Sequence, residues 1–220
     1  SGSTTQLGMF AELDDTAVVT GIAAVANVVD ATVRARIDAG DVVDFAPGGQ
    51  LNTELVVAEQ PGVLLTQGLD DPGHQKLRDA GIPVVAGADW LEATPLGRAE
   101  WIKVIAALTG TQRRAGEVYR RLSDDYRALA DTAAGAPPVP VLTGTMAQGT
   151  WSMPTGGDYP GRLILDAGGD YPWARNVDRT RLQLNFESVY TRAGQARVWL
   201  VDAGWASTAD ALAVDPRYGQ

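Results

Sequence analysis

The chain has 220 residues, of which 45% are hydrophobic and 20% charged, so it can bury a sizeable core as one large domain or as two small lobes. Its formal net charge of −9 opposes contact with phosphate backbones and disfavours a nucleic-acid-binding function. The absence of cysteine excludes disulfides and cysteine-based metal sites, and one histidine, His74, makes a Ser-His-Asp triad or a multi-histidine metal site hard to build.

Short apolar runs rich in β-branched residues predict buried strands of an α/β sheet. In chain order they cover residues 18–22, 63–66, 82–86, 139–143 and 198–201. Helical spacing fills the segments between them, and the tripeptide Asp-Ala-Gly closes two of these helical stretches, at Gly40 and at Gly81. An apolar strand follows each glycine at once. This rhythm of helix, glycine and strand predicts parallel βα units.

The region from Pro95 to about Ala134 has helical spacing and almost no strand signal. Thr94 followed by Pro95 predicts a helix start, and Gly110 is expected to interrupt the helical pattern. The chain is therefore predicted to have three parts, an N-terminal α/β lobe at 1–94, a helical linker at 95–135 and a C-terminal α/β lobe at 136–220. One domain with a long crossover helix is the alternative.

A short sequence motif that occurs twice in the chain supports the prediction of two lobes. Residues 51–56 and 184–189 both read Leu-Asn-x-Glu-x-Val, and each leads through a helix to an apolar strand. Asn is a good N-cap, and the glutamates, Glu54 and Glu187, fall in the first turn, where the helix dipole favours negative charge. The pattern fits two well-started helices as well as a functional pair, and both interpretations stay open at this point.

No catalytic constellation stands out. The Gly-rich stretch 155–161 is not followed by Gly-Lys-Ser/Thr, so it is not a phosphate loop, and there is no Gly-x-Ser-x-Gly motif. Asp166 and Asp170 flank two glycines and fit turn or cap roles better than acid–base roles. No apolar run reaches the roughly 20 residues that a membrane-spanning helix needs. We therefore predict no catalytic residue, no metal site and no cofactor.

Aromatic residues are more informative, since six tryptophans is a high count for this length. Trp151 lies in a loop-like polar stretch after the 139–143 strand, and ligands of open α/β sheets bind beyond the carboxyl ends of strands. Aromatic faces there suit a large, partly apolar ligand. We therefore predict ligand contacts from Trp151, Tyr159, Tyr171 and Trp173, with the alternative that Trp151 caps the edge of a core.

Three stretches carry a family resemblance. Residues 88–103 contain Thr-Pro-Leu-Gly-Arg-Ala-Glu-Trp, residues 149–173 begin Gly-Thr-Trp-Ser-Met-Pro, and residues 186–200 begin Phe-Glu-Ser-Val-Tyr. These motifs resemble those of ABC-importer substrate-binding proteins of the cobalamin and ferric-siderophore class, and the resemblance covers nearly the whole chain. It implies an α/β fold of two Rossmann-like lobes joined by a long rigid helix, with the ligand in the cleft.

The resemblance also implies a function outside the cytoplasm, as a periplasmic protein or a cell-surface lipoprotein. A monomer would deliver a metal chelate, either a ferric siderophore or a cobalamin- or haem-like compound, to an ABC permease and its ATPase. In this family one glutamate on each lobe docks onto arginines of the permease, and those positions match Glu54 and Glu187. An anionic ferric siderophore would call for basic residues in the cleft, for which Arg162, Arg175 and Arg179 are candidates.

Two departures from the family pattern stand at the ends of the chain. Family members usually have a strand ahead of residues 3–7 and continue past residues 215–218 into a further strand and helix. We therefore expect a first lobe without its leading strand, a shortened second lobe, and no signal or anchor segment within this chain. A chelate-handling enzyme and a sensor or binding module without transport, both on the same scaffold, are the alternative functions.

Overall fold

The computed structural model describes residues 2–201 and 203–219, which form two compact units. Unit 1 consists of the residues up to Leu91 together with Ala99–Leu122, and unit 2 consists of Glu92–Arg98 together with the residues from Ser123 onward. The predicted fold class, two Rossmann-like α/β lobes and one long helix that joins them in the chain, is confirmed.

Unit 1 alternates short helices and short strands. They are α1 (Leu7–Glu12), β1 (Gly21–Ile22), α2 (Ala31–Asp38), β2 (Val43–Asp44), α3 (Thr53–Glu59), β3 (Leu64–Thr66), α4 (Pro72–Asp79) and β4 (Val84–Ala86). β1 pairs with β2 and β3 pairs with β4, in both cases parallel, as the βα rhythm predicts. The predicted strand at 18–22 is too long, because residues 16–18 form a 3-10 turn and only Gly21 and Ile22 pair.

The two Asp-Ala-Gly segments end helices as predicted. Gly40 and Gly81 follow α2 and α4, and both have φ of +83°, a left-handed conformation that a residue with a Cβ adopts only with strain. Each glycine turns the chain from the helix back toward the sheet. The next strand then begins within three residues, at Val43 and at Val84.

The core of unit 1 consists of two apolar clusters. One is centred on Ile22 and Val33, both fully buried, and the other on Leu77 and Phe45. A cavity of about 550 Å³ lies beside the strands and takes lining residues from β1, β2 and β3. At the carboxyl end of β3, the backbone N–H of Gly2 donates to the carbonyl oxygen of Leu65 at 2.7 Å.

The region 95–135, which is predicted to be a helical linker, contains three helices. They are α5 (Pro95–Glu100), α6 (Ile102–Thr109) and α7 (Gln112–Ala134). Gly110 ends α6 with φ of +81°, which confirms the predicted interruption. The 23 residues of α7 form the longest helix among the described residues, and the chain passes from unit 1 into unit 2 within it, after Leu122.

Unit 2 contains two three-stranded sheets and three helices among its residues from Val139 onward. The elements are β5 (Val139–Thr143), β6 (Thr145–Ala147), β7 (Thr150–Met153), α8 (Tyr159–Asp166), β8 (Gly169–Asp170), β9 (Leu182–Leu184), α9 (Phe186–Ala193), β10 (Val198–Leu200) and α10 (Thr208–Val214). The order β10-β5-β8 is parallel, and the order β6-β7-β9 is antiparallel. Their shared core is rich in aromatic rings.

We predict that Leu77→Ala lowers the free energy of unfolding by about 2–5 kcal/mol, because it empties space at a fully buried position. Leu129→Ala is the matched control, since Leu129 also lies on a helix but is 72% exposed, and it is expected to cost less than about 0.5 kcal/mol. Urea unfolding followed by circular dichroism measures both. Equal losses in the two variants would contradict the assignment of Leu77 to the core.

Candidate functional site

The carboxyl ends of β3 and β4 carry an exposed apolar surface on unit 1. Leu69 follows β3, and Trp90 and Leu91 follow β4, with 59%, 46% and 52% of their surface exposed. We call these three residues the strand-end surface of unit 1. Large apolar side chains this exposed at the edge where parallel strands end are typical of a ligand-binding position.

Hydrogen bonds beneath this surface hold its loops in place. The indole Nε1 of Trp90 donates to the carbonyl oxygen of Gln67 at 2.8 Å, which ties the loop after β4 to the loop after β3. The carboxylate of Asp89 is buried and accepts from the side-chain amide of the buried Gln6 at 3.4 Å. Trp90 is therefore presented from an anchored turn rather than from a free loop.

Charge around the strand-end surface of unit 1 is mixed. The segments that follow β3 and β4, residues 67–71 and 87–94, contain no lysine or arginine. An adjoining hollow of about 520 Å³ is lined by Leu69 together with His74 and Arg78 of α4. Asp70 and Asp71 line the same hollow, so acidic and basic groups both border the apolar surface.

The predicted aromatic cluster of unit 2 is mostly core. Trp151 and Tyr171 are each 2% exposed and Trp173 is 8% exposed, so almost no ring surface is left for a ligand. The Nε1 of Trp151 donates to the carbonyl oxygen of Thr143 at 2.9 Å, and the hydroxyl of Tyr171 donates to that of Pro154 at 2.6 Å. Burial raises the pKa of Tyr171. These three side chains pack within unit 2, and their predicted contact with a ligand stays a prediction.

Tyr159 and Arg162, also predicted ligand contacts, both lie on α8 and both have partners within unit 2. The guanidinium of Arg98 lies 4.4 Å from the ring centroid of Tyr159 and covers that ring face. Arg162 pairs with Asp166 one turn later on α8 at 2.9 Å. The hydroxyl of Tyr126 donates to the same carboxylate at 2.8 Å.

Arg175 and Arg179 lie on an exposed loop that connects β8 to β9. Val177 between them is 78% exposed, so both basic and apolar groups of this loop face solvent. The loop packs tightly on Gly156 and Gly157, where an added Cβ would overlap the backbone of Ala174 and Val177. The Gly-rich stretch at 155–161 therefore has a packing role that the sequence did not reveal.

Trp205 is a candidate that the sequence reasoning missed. It follows β10, is partly exposed, and its ring lies edge-on to Trp199 with centroids 5.8 Å apart. The rule that pointed to Trp151, an aromatic residue beyond the carboxyl end of a strand, selects Trp205 and Trp90 equally well. It does not tell which of the three side chains the fold buries.

Glu54 and Glu187 lie in matching positions of the two units. Each occupies the first turn of a helix, α3 or α9, and each side chain is exposed. The side chain of Asn52 accepts from the backbone N–H of Leu55 at 3.0 Å, and that of Asn185 accepts from Ser188 at 2.8 Å. The repeated motif thus corresponds to two helices with the same N-cap. The docking role of the glutamates stays a prediction.

Neither a metal site nor a membrane span is evident where the structure describes the chain. Over residues 2–201 and 203–219, no group of three or more His, Asp or Glu side chains is placed to hold a metal ion. Within the same residues, no helix combines the length and apolar character that crossing a bilayer demands.

The family model described as periplasmic binding protein matches residues 1–217. An uncharacterized lipoprotein of Methanocaldococcus jannaschii is 28% identical over 178 residues, which are 77% of this chain and 42% of the relative. The chain therefore spans less than half the length of that relative.

Solved structures are similar in fold. The periplasmic heme binding protein HutB of Vibrio cholerae has a TM-score of 0.74 at 21% identity, over 97% of this chain and 80% of its own. The periplasmic vitamin B12 binding protein BtuF of Vibrio cholerae has a TM-score of 0.59 at 15% identity, over 99% and 84%. At these identities the likeness concerns the fold alone.

We predict that Tyr126→Phe changes how stability depends on pH. Burial, and then the hydrogen bond to Asp166, raise the pKa of Tyr126 to about 12. The stability that its neutral hydroxyl contributes is therefore present below pH ~10 and is lost as the pH rises toward ~12. The stability lost in the variant should therefore shrink between about pH 8 and pH 11.5 in urea unfolding. A stability difference between the wild-type protein and Tyr126→Phe that stays constant over that range would contradict the raised pKa of Tyr126.

Proposed function

This chain belongs to the periplasmic binding protein family, and we propose that it is the extracytoplasmic substrate-binding protein of an ABC importer for a metal chelate. The observation that carries the proposal is the family match over residues 1–217 of the 220 in the chain. A binding function also agrees with the apolar side chains that unit 1 exposes where its parallel strands end and with the exposed arginines of the loop after β8 in unit 2. Catalysis is not part of the proposal.

The proposed ligand has both an apolar face and anionic groups. Within unit 1, Leu69, Trp90 and Leu91 expose apolar and aromatic surface. Within unit 2, Trp205 is partly exposed. Arg175 and Arg179 offer charge-assisted hydrogen bonds to carboxylates or phenolates. A haem-like macrocycle or an aryl-bearing ferric siderophore combines the two properties, and the solved structures of similar fold include binding proteins for haem and for a ferric siderophore complex.

Glu54 and Glu187 are proposed to dock the protein onto arginines of the permease. Both carboxylates are exposed at the starts of helices in different units, which leaves them accessible to a partner protein. Exposed charges of this kind orient a docked protein and speed its encounter with the partner more than they add affinity. The proposed state is a monomer outside the cytoplasm, and the similarity to an archaeal lipoprotein supports a membrane-anchored form.

We predict that Trp90→Ala weakens ligand binding by about ten-fold, since an exposed tryptophan at the centre of an apolar contact typically contributes more than 1 kcal/mol. Haemin, cyanocobalamin, ferrichrome and ferric enterobactin are the probes, titrated by calorimetry against the wild-type protein and the variant. Leu129→Ala is the control, because it removes an exposed apolar side chain from α7. Failure of the wild-type protein to bind any of the four probes would contradict the proposed ligand class.

We predict that Glu54→Ala combined with Glu187→Ala leaves ligand affinity within about two-fold and weakens docking to the permease–ATPase complex by about ten-fold or more. Docking is measured by surface plasmon resonance with the importer in nanodiscs, and uptake in proteoliposomes. Glu117→Ala, at an exposed glutamate of α7, controls for the loss of a negative charge. Loss of ligand affinity instead would place the two glutamates in the ligand site.

A further inference from the structure

Glu187 shares its surroundings with two arginines. The Nη1 of Arg217 lies 3.5 Å from its Oε1, although 73% of the Glu187 side chain is exposed. Arg192, five residues later on α9, lines the same shallow hollow as Glu187. Arg192 is bound elsewhere, because its Nη2 donates to the carbonyl oxygen of Pro172 at 2.8 Å and its guanidinium lies 5.5 Å from the ring centroid of Trp173.

Arg217 is held in place by groups other than Glu187. Its Nε and Nη2 donate to the two carboxylate oxygens of Asp215 at 3.0 and 2.8 Å, a bidentate geometry. Its guanidinium also lies 4.7 Å from the ring centroid of Phe186, the residue that precedes Glu187. The hydrogen bonds from Arg217 hold the pKa of Asp215 below its usual value. Arg217 is therefore held at a fixed position beside Glu187, and its charge is shared between Asp215 and Glu187.

Glu54 in unit 1 lacks such a partner. The chain contains no lysine or arginine between Arg36 and Lys76, and within the residues that the structure describes Glu54 makes no ion pair. Its neighbours on α3 include a second carboxylate, Glu59. The two matching glutamates therefore differ in ion pairing, even though their helices begin in the same way.

We propose that Arg217 is an internal counter-ion that attenuates Glu187, so that Glu54 makes the stronger electrostatic contact with an arginine-bearing partner. This inference rests on the proposed docking role of the two glutamates. An arginine of the partner that approaches Glu187 has to share its carboxylate with Arg217 and is repelled by it. The same arginine approaching Glu54 meets a carboxylate that is in no ion pair among the described residues.

The size of the effect follows from exposure. An ion pair between exposed side chains is weak, so Arg217 reduces the contribution of Glu187 by roughly 1.4- to 5-fold. The reduction acts on the rate of encounter and is screened by salt. Asymmetric attraction of this kind brings unit 1 to the partner first and lets Glu187 engage after contact has begun.

The test measures association rates of the full-length protein with the permease–ATPase complex in nanodiscs, at low salt and at about 0.5 M salt. Glu54→Gln should slow association more than Glu187→Gln does. Arg217→Gln should speed association about 1.4- to 5-fold, but not when Glu187→Gln is also present. The gain should vanish at high salt. Arg113→Gln, at an exposed arginine of α7, is the matched control for a change in net charge.

Asp215→Asn separates the counter-ion role from a structural one. It frees Arg217 for Glu187 and should slow association, whereas Arg217→Gln should speed it. Loosening of the turn at Pro216–Gly219 would instead change the rate in the same direction in both variants.

Three results would overturn the inference. They are no gain from Arg217→Gln, an equal gain from Arg113→Gln, and a gain that persists with Glu187→Gln. If Glu54→Gln and Glu187→Gln together leave association unchanged, the proposed docking role itself fails.

Discussion

Parallel pairing of short strands is the constraint on which both units depend. A strand parallel to its neighbour ends at the same edge of the sheet, so the chain leaves β3 and β4 together in unit 1, and β5 and β10 together in unit 2. The segments beyond those ends are outside the hydrogen-bond ladder. They can therefore expose side chains such as Trp90, whereas the residues of β3 itself are buried.

An aromatic side chain of unit 2 that is buried in the core is not available for binding a ligand. A large ring contributes most to stability when it is fully covered, provided that its polar atom has a partner. Trp151 meets this condition, since a carbonyl oxygen accepts its N–H and its ring lies 5.6 Å from that of Tyr218. Trp205 is covered only in part. The central aromatic residues thus stabilise the core of unit 2, and Trp205, which follows β10, stays partly exposed.

Much of the fold could be predicted because it depends on neighbours along the chain. Glycine at the end of a helix, asparagine at its start and β-branched runs act within a few residues, and Gly40, Gly81, Asn52 and Asn185 all have the conformations that their positions predict. The candidate site was less predictable. The strand-end rule selects several aromatic residues, and covering one of them needs residues from distant parts of the chain, as Tyr218 shows for Trp151.

By itself the sequence determined the fold class, the family and the positions of Glu54 and Glu187, because each is encoded in contiguous motifs. Only the tertiary structure decided that Trp151, Tyr171 and Trp173 are core, that Trp90 and Trp205 are exposed, and that Glu187 has a cation beside it while Glu54 has none among the described residues. The physical reason is that burial and ion pairing depend on residues that the fold brings together in space. Spacing along the chain does not show which distant residues come into contact.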